Sequence, residues 1–186
     1  MKTQSEILIL DLIETTRQNL NFAELLKEKN ETELNWKTNT ESWSILECLE
    51  HLNLYGYFYI PEIEKTILNS KQKSEKEFKS GMLGNYFAKS MLPKQKFNKM
   101  KTFKDKNPLN SYLNRKVIDE FVNQQIKTID LLNKSKVVSL NKNKVEITLT
   151  KWIKLKLGDT FRFLINHNIR HIKQIENNIK AQTACR

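Results

Sequence analysis

Glycine and proline are scarce in this chain of 186 residues, at 4 and 3 copies. That scarcity excludes a turn-rich β-sandwich and long flexible linkers. Cysteine is rarer still. Cys48 and Cys185 lie far apart and neither belongs to a CxxC pair, which excludes a disulfide framework. The expectation is two reduced thiols, one buried in a helix and one in the tail, in a cytoplasmic protein. No apolar run approaches a membrane span, and the opening Met1–Asp11 stretch lacks an apolar core of signal-peptide length. Arginine is also short, at 5 of 32 basic residues, where nucleic-acid sites enrich it for bidentate contacts. Histidine occurs only at positions 51, 167 and 171.

What is present describes one soluble domain over residues 1–186, with 39% apolar and 28% charged residues. The net charge of +11 is unevenly placed: 6 basic and 12 acidic side chains over residues 1–66, against 21 and 7 over residues 67–158. Such asymmetry can mark an anionic partner, but so lysine-rich a surface reads better as a solvated face.

Few breakers and long periodic runs predict helices. Residues 5–29 form the first, with Ile7, Leu8, Leu10, Leu12, Ile13, Leu25 and Leu26 among its apolar positions. A polar connection follows through Thr40. Ser44-x-x-Glu47 fits a capping box, predicting a helix from Ile45 to about Leu68 that Pro61 kinks or splits. Residues 69–108 read as a long crossover with one short helix, whose lysine–aromatic segment 94–106 is a pocket lid or, less favoured, a single-strand nucleic-acid contact. A third helix is expected over 110–133, capped by Asn110 or Ser111 and burying Tyr112, Leu113 and Ile126 among others. Val145–Thr150 alternates as a short extended piece, and Asp159 is the expected N-cap of a fourth helix over 160–180.

That last helix carries His167 and His171, four residues apart and so on one face, a spacing that lets two imidazoles share one metal ion. His51 lies in the second helix beside Leu52. Packed together, the three would bind a divalent ion with one coordination position open, the arrangement of a catalytic rather than a structural metal. Imidazole suits Zn, Ni, Fe, Mn or Cu, and spacing does not choose among them. Glu47 either orients His51 or only caps its helix. Cys48 reads as a small buried residue rather than a fourth ligand. Arg170 either binds an anionic group or makes a surface ion pair. Tyr55 and Tyr59 either line the pocket or, as the default for such a stripe, pack in the core; Asn166 and Asn168 are expected on the helix surface, and Trp36, Trp43 and Trp152 at the bundle ends.

Trp43-x-x-x-Glu47-x-x-x-His51-Leu52 resembles a segment of the DinB-like superfamily. Leu157-Gly-Asp-x-x-Arg162, followed by His167-x-x-Arg170-His171-x-x-Gln174, resembles that family's last helix. The resemblance implies an all-α, four-helix bundle, up-down-down-up, with a long crossover between helices 2 and 3. It implies a divalent metal on His51, His167 and His171, and a homodimer. Members include thiol S-transferases that use low-molecular-weight thiols, glutathione-dependent isomerases and proteins assigned as metal-dependent hydrolases. The expected function is thiol S-transfer or hydrolysis on a small molecule, with no membrane partner. The alternative is a non-enzymatic, metal-stabilised stress-response or interaction bundle.

Overall fold

The computed structural model describes residues 1–93, 102–148 and 150–185, with the backbone alone at 150–152. A short strand β1 (Lys2–Gln4) leads into α1 (Ser5–Leu26). Next come α2 (Glu31–Asn35) and α3 (Ile45–Leu68). Strand β2 (Glu77–Lys79), which pairs antiparallel with β1, precedes α4 (Met82–Ser90). After a 3-10 turn at Lys104–Lys106 comes α5 (Lys116–Lys134). The antiparallel hairpin of β3 (Lys144–Ile147) and β4 (Thr150–Lys156) then delivers the chain to α6 (Leu157–Ala184). The chain is therefore mostly helical, as expected, with two small two-stranded sheets added.

The capping boxes set two helix starts. Ser44 Oγ accepts from Glu47 N at 3.1 Å, and Glu47 Oε2 accepts from Ser44 N at 2.8 Å. Asn30 and Glu33 make the same reciprocal pair at the start of α2, a short helix within the expected polar connection. Pro61 does not split α3. Both Pro61 and Tyr57, whose carbonyl loses its helical donor there, are exposed, so the lost bond falls on the solvent side of the helix.

Other boundaries differ from expectation. The third long helix begins at Lys116, not 110, and Asn110 has φ 62°, outside the helical region. Tyr112 consequently stands almost wholly exposed, and Ile126 faces solvent on α5. The last helix begins at Leu157, three residues early, so Asp159 lies within it rather than capping it. The expected extended piece is half of a hairpin. Ile7, Leu10 and Leu25 are exposed, so α1 carries more apolar residues than its buried stripe uses.

Helix α1 packs against α5 and α6, and α3 packs against the same two. Two apolar clusters fill the interior. One gathers Leu8, Ile13, Tyr59, Ile63, Leu131, Leu132, Phe161 and Ile165. The other gathers Ala23, Leu26, Leu46, Leu49, Ile118, Phe121 and Ile175. The first holds the starts of α1 and α6 with the ends of α3 and α5, and the second holds the opposite ends. The three histidines sit where the clusters meet, between Leu49 and Tyr59 on α3 and between Ile165 and Ile175 on α6.

Asp159 anchors α4 to α6. Its carboxylate accepts from Gly81 N at 2.8 Å and Arg162 Nη1 at 3.0 Å, and from the Ser80 hydroxyl. Arg162 also reaches Ser80 Oγ at 2.8 Å and Asn85 Oδ1 at 3.2 Å. The approach is close enough that a Cβ at Gly84 would lie 2.5 Å from Asp159 Cγ, which explains glycine there.

Candidate metal centre

The Ser44 cap fixes where α3 begins, which puts His51 in its second turn, pointing inward between the buried Leu49 and Leu52. On α6 the four-residue spacing turns His167 and His171 the same way. All three side chains are buried. His167 Nε2 lies 3.2 Å from His51 Nε2 and 3.1 Å from His171 Nε2. One nitrogen from each ring falls within 4.8 Å of the other two.

Neighbours set the proton positions. His51 Nδ1 stands 2.6 Å from the Lys106 carbonyl, which can only accept, so that nitrogen carries the proton. His171 Nδ1 faces Gln174 Oε1 at 3.0 Å, an acceptor that favours the same tautomer. In both rings the Nε2 lone pair is then aimed at the shared centre. His167 Nδ1 is buried with no partner among the described residues. Converging lone pairs repel unless a proton or cation lies between them. A tetrahedral ion with Zn–N bonds of about 2.05 Å needs nitrogens roughly 3.3 Å apart, close to the 3.2 and 3.1 Å from His167 to its two partners. The donor set and its geometry fit a divalent ion.

Burial holds the imidazoles neutral, the state a ligand needs. It pushes His51 down to about 4, helped by the Lys106 charge and opposed by the bond to the Lys106 carbonyl. His167 is held well below the usual imidazole range by burial, then by His171, His51 and Arg170. His171 is lowered by burial first and by His51 and Arg170.

A cavity of about 850 Å³ opens beside the triad, bordered by all three histidines and by Tyr55, Met91, Asn107, Phe163 and Arg170. Arg170 thus reaches the same cavity, its guanidinium lowered by burial. Aromatic rings wall the imidazoles. Trp43 packs 4.6 Å from His51 and stacks at 5.6 Å on His171, which corrects the bundle-end reading of that tryptophan. Tyr55 meets His51 edge-on at 5.0 Å and His167 at 4.7 Å, so it borders the site instead of only filling the core. Burial, then Tyr59 and Asp105, push its phenol up to about 12, and it stays protonated. Tyr59 is a core residue as expected, its hydroxyl 3.3 Å from Thr148 Oγ1.

Cys48 is buried within the second apolar cluster, and burial pushes its thiol up, which suits a packed side chain rather than a ligand. Asn168 is buried, not on the surface, and donates to Gln125 Oε1 at 3.0 Å. Asn166 donates to the Ala88 carbonyl at 2.8 Å. The Trp152 side chain and Lys94–Lys101 of the lysine–aromatic segment lie outside the described residues. Farther along that segment, Thr102 borders the cavity and the Lys106 carbonyl reaches His51, a role that no sequence signal marked because a backbone oxygen has none.

Helices and site together define a largely helical protein with a buried cluster of three neutral imidazoles beside a cavity. The chain belongs to the DinB superfamily, whose family model matches residues 12–175. No curated protein and no solved structure gives a significant match to it.

Proposed function

We propose that this protein is a metal-dependent enzyme acting on a small molecule, with His51, His167 and His171 as ligands of one divalent ion. The observation that carries this reading is the convergence of three buried imidazole nitrogens within 4.8 Å, at the edge of a cavity. Thiol S-transfer is the most concrete form, and hydrolysis the close variant. A bound divalent ion would supply the positive charge that turns a thiol or a water into a nucleophile near neutral pH.

The chain's own groups then divide the work. The Lys106 carbonyl and Gln174 keep the ligand nitrogens of His51 and His171 unprotonated. Trp43, Tyr55 and Phe163 shield the imidazoles from bulk water. Arg170 borders the cavity, and to it we assign an anionic group on the substrate or thiol cofactor. We read the four long helices as an up-down-down-up bundle, which the pairing of helix ends in the two apolar clusters supports.

The test is metal content of untagged protein by mass spectrometry, beside a His167→Ala/His171→Ala variant. Near-stoichiometric metal lost in the variant is the expected result and leads to a screen of thiols with electrophiles. Protein that holds no metal and takes up none of Zn²⁺, Ni²⁺ or Mn²⁺ would sink the reading. Stable metal without turnover would favour a non-enzymatic, metal-stabilised bundle.

A further inference from the structure

Glu47 lies one turn before His51 on α3 and touches no imidazole in any contact the structure describes. Its carboxylate is nonetheless fully used. Oε2 accepts from Ser44 N in the capping box at 2.8 Å. Oε1 accepts from Lys37 Nζ at 2.6 Å and from Asn110 N at 2.5 Å. Lys37 also bonds Asn110 Oδ1 at 3.0 Å. The side chain is only 3% exposed and that of Lys37 21% exposed, so the pair is far less screened than a surface ion pair.

A cap alone needs one oxygen. The second oxygen holds the connection between α4 and α5, and that connection does two things at the site. Four residues before Asn110, the Lys106 carbonyl accepts the His51 Nδ1 proton at 2.6 Å. Between them, Asn107 and Leu109 border the cavity. Asn110 sits at φ 62°, the left-handed region that few residues besides glycine and asparagine adopt readily. It is held by bonds to both Glu47 and Lys37.

We propose that Glu47 is a positioning residue for the candidate metal centre: by clamping Asn110 it places the Lys106 carbonyl that fixes the tautomer and orientation of His51. The consequence for metal binding rests on the function proposed above, but the consequence for His51 itself does not. Groups that orient a ligating histidine are typically worth about 10- to 100-fold in metal affinity. The clamp also joins one cavity wall to one ligand, so whatever presses on Asn107 or Leu109 is felt at His51.

Four variants separate clamp from cap. Glu47→Ala removes both, and Ser44→Ala weakens the cap while sparing the clamp. Glu47→Gln restores an acceptor for Asn110 N, and Lys37→Met loosens the clamp without touching α3. Long-range ¹H–¹⁵N NMR of the histidine side chains reads the tautomer without any metal. The wild type and Ser44→Ala are expected to show His51 protonated at Nδ1. Glu47→Ala is expected to lose that signature, Lys37→Met to weaken it, and Glu47→Gln to recover part of it. Zn²⁺ affinity by chelator competition should fall about 10- to 100-fold in Glu47→Ala and less than twofold in Ser44→Ala.

Three results would overturn the proposal. One is a wild-type His51 not protonated at Nδ1. Another is an unchanged His51 in Glu47→Ala or, should that variant not fold, in Lys37→Met. The third is an equal loss in Ser44→Ala. Wild-type protein that binds no Zn²⁺ defeats the function proposed above and leaves the NMR comparison to decide the clamp.

Discussion

His51 Nε2 and His167 Nε2 lie 3.2 Å apart although 116 positions separate them in the chain. That approach joins α3 to α6 at the junction of the two apolar clusters, and the chemistry proposed for the protein depends on it. Removing the long-range member should therefore be as damaging as removing either member of the helical pair. His51→Ala is expected to lower Zn²⁺ affinity at least 100-fold while leaving the helical circular dichroism nearly unchanged. Equal affinity in wild type and variant would mean that two histidines suffice and the triad reading is wrong.

Acid should destabilise the metal-free protein, and the sign follows from burial. His51 has a folded pKa of about 4 against an unfolded value near 6.5, so between those values the unfolded chain binds more protons. Above pH 6.5 the group contributes no penalty, and the penalty grows as pH falls toward the folded value. For His51 alone this is roughly 2 kcal/mol by pH 5. His167 and His171 are lowered in the same direction and add to it. Urea midpoints of chelator-treated protein should fall from pH 7.5 to pH 5, less steeply in His51→Leu. A flat profile would show that these imidazoles are not buried neutral.

Arg170 is expected to serve substrate and not metal. Arg170→Met should leave metal stoichiometry intact and weaken binding of mercaptoacetate to the Co²⁺-loaded protein by about tenfold, the scale of one hydrogen bond to a charged group. Binding of the neutral 2-mercaptoethanol should change little. Equal losses for both thiols would remove Arg170 from the anion-binding role.

The Asp159–Arg162 pair is buried, with side chains 0% and 9% exposed. Breaking it strands a charge. Arg162→Met should cost about 3–5 kcal/mol, with a strongly non-additive Asp159→Asn/Arg162→Met double variant in thermal or urea unfolding. Additive losses would mean the two residues act separately.

Gly84→Ala tests the same contact by sterics, since its Cβ would fall 2.5 Å from Asp159 Cγ. A loss of about 1–3 kcal/mol is expected, the usual cost of overpacking. A variant as stable as wild type would show that α4 is free to move off α6.

Much of this was legible along the chain. The α3 start was readable because a capping box closes within three residues, and the His167–His171 pair because helical periodicity puts such positions on one face. The overreach of the third helix to 110 had a physical source. Tyr112 and Leu113 continue the apolar stripe of the helix that follows, but Asn110 stands at φ 62° with its backbone N–H donated to Glu47, 63 positions away. Asp159 was misassigned for a similar reason. An aspartate at a helix start usually caps that helix, and here Gly81 and Arg162 take its oxygens instead.

The sequence by itself determined the helical character, the start of α3, the inward direction of each histidine and the absence of a disulfide framework. Each depends on propensity, capping or periodicity over a few neighbouring residues. Only the tertiary structure decided that His51 meets the His167–His171 pair, that Trp43 and Tyr55 wall them, and that the Lys106 carbonyl fixes the His51 proton. Those contacts join segments that share no local signal. They form because packing two apolar clusters brings α3 against α6 and leaves the connection before α5 to close over the gap between them.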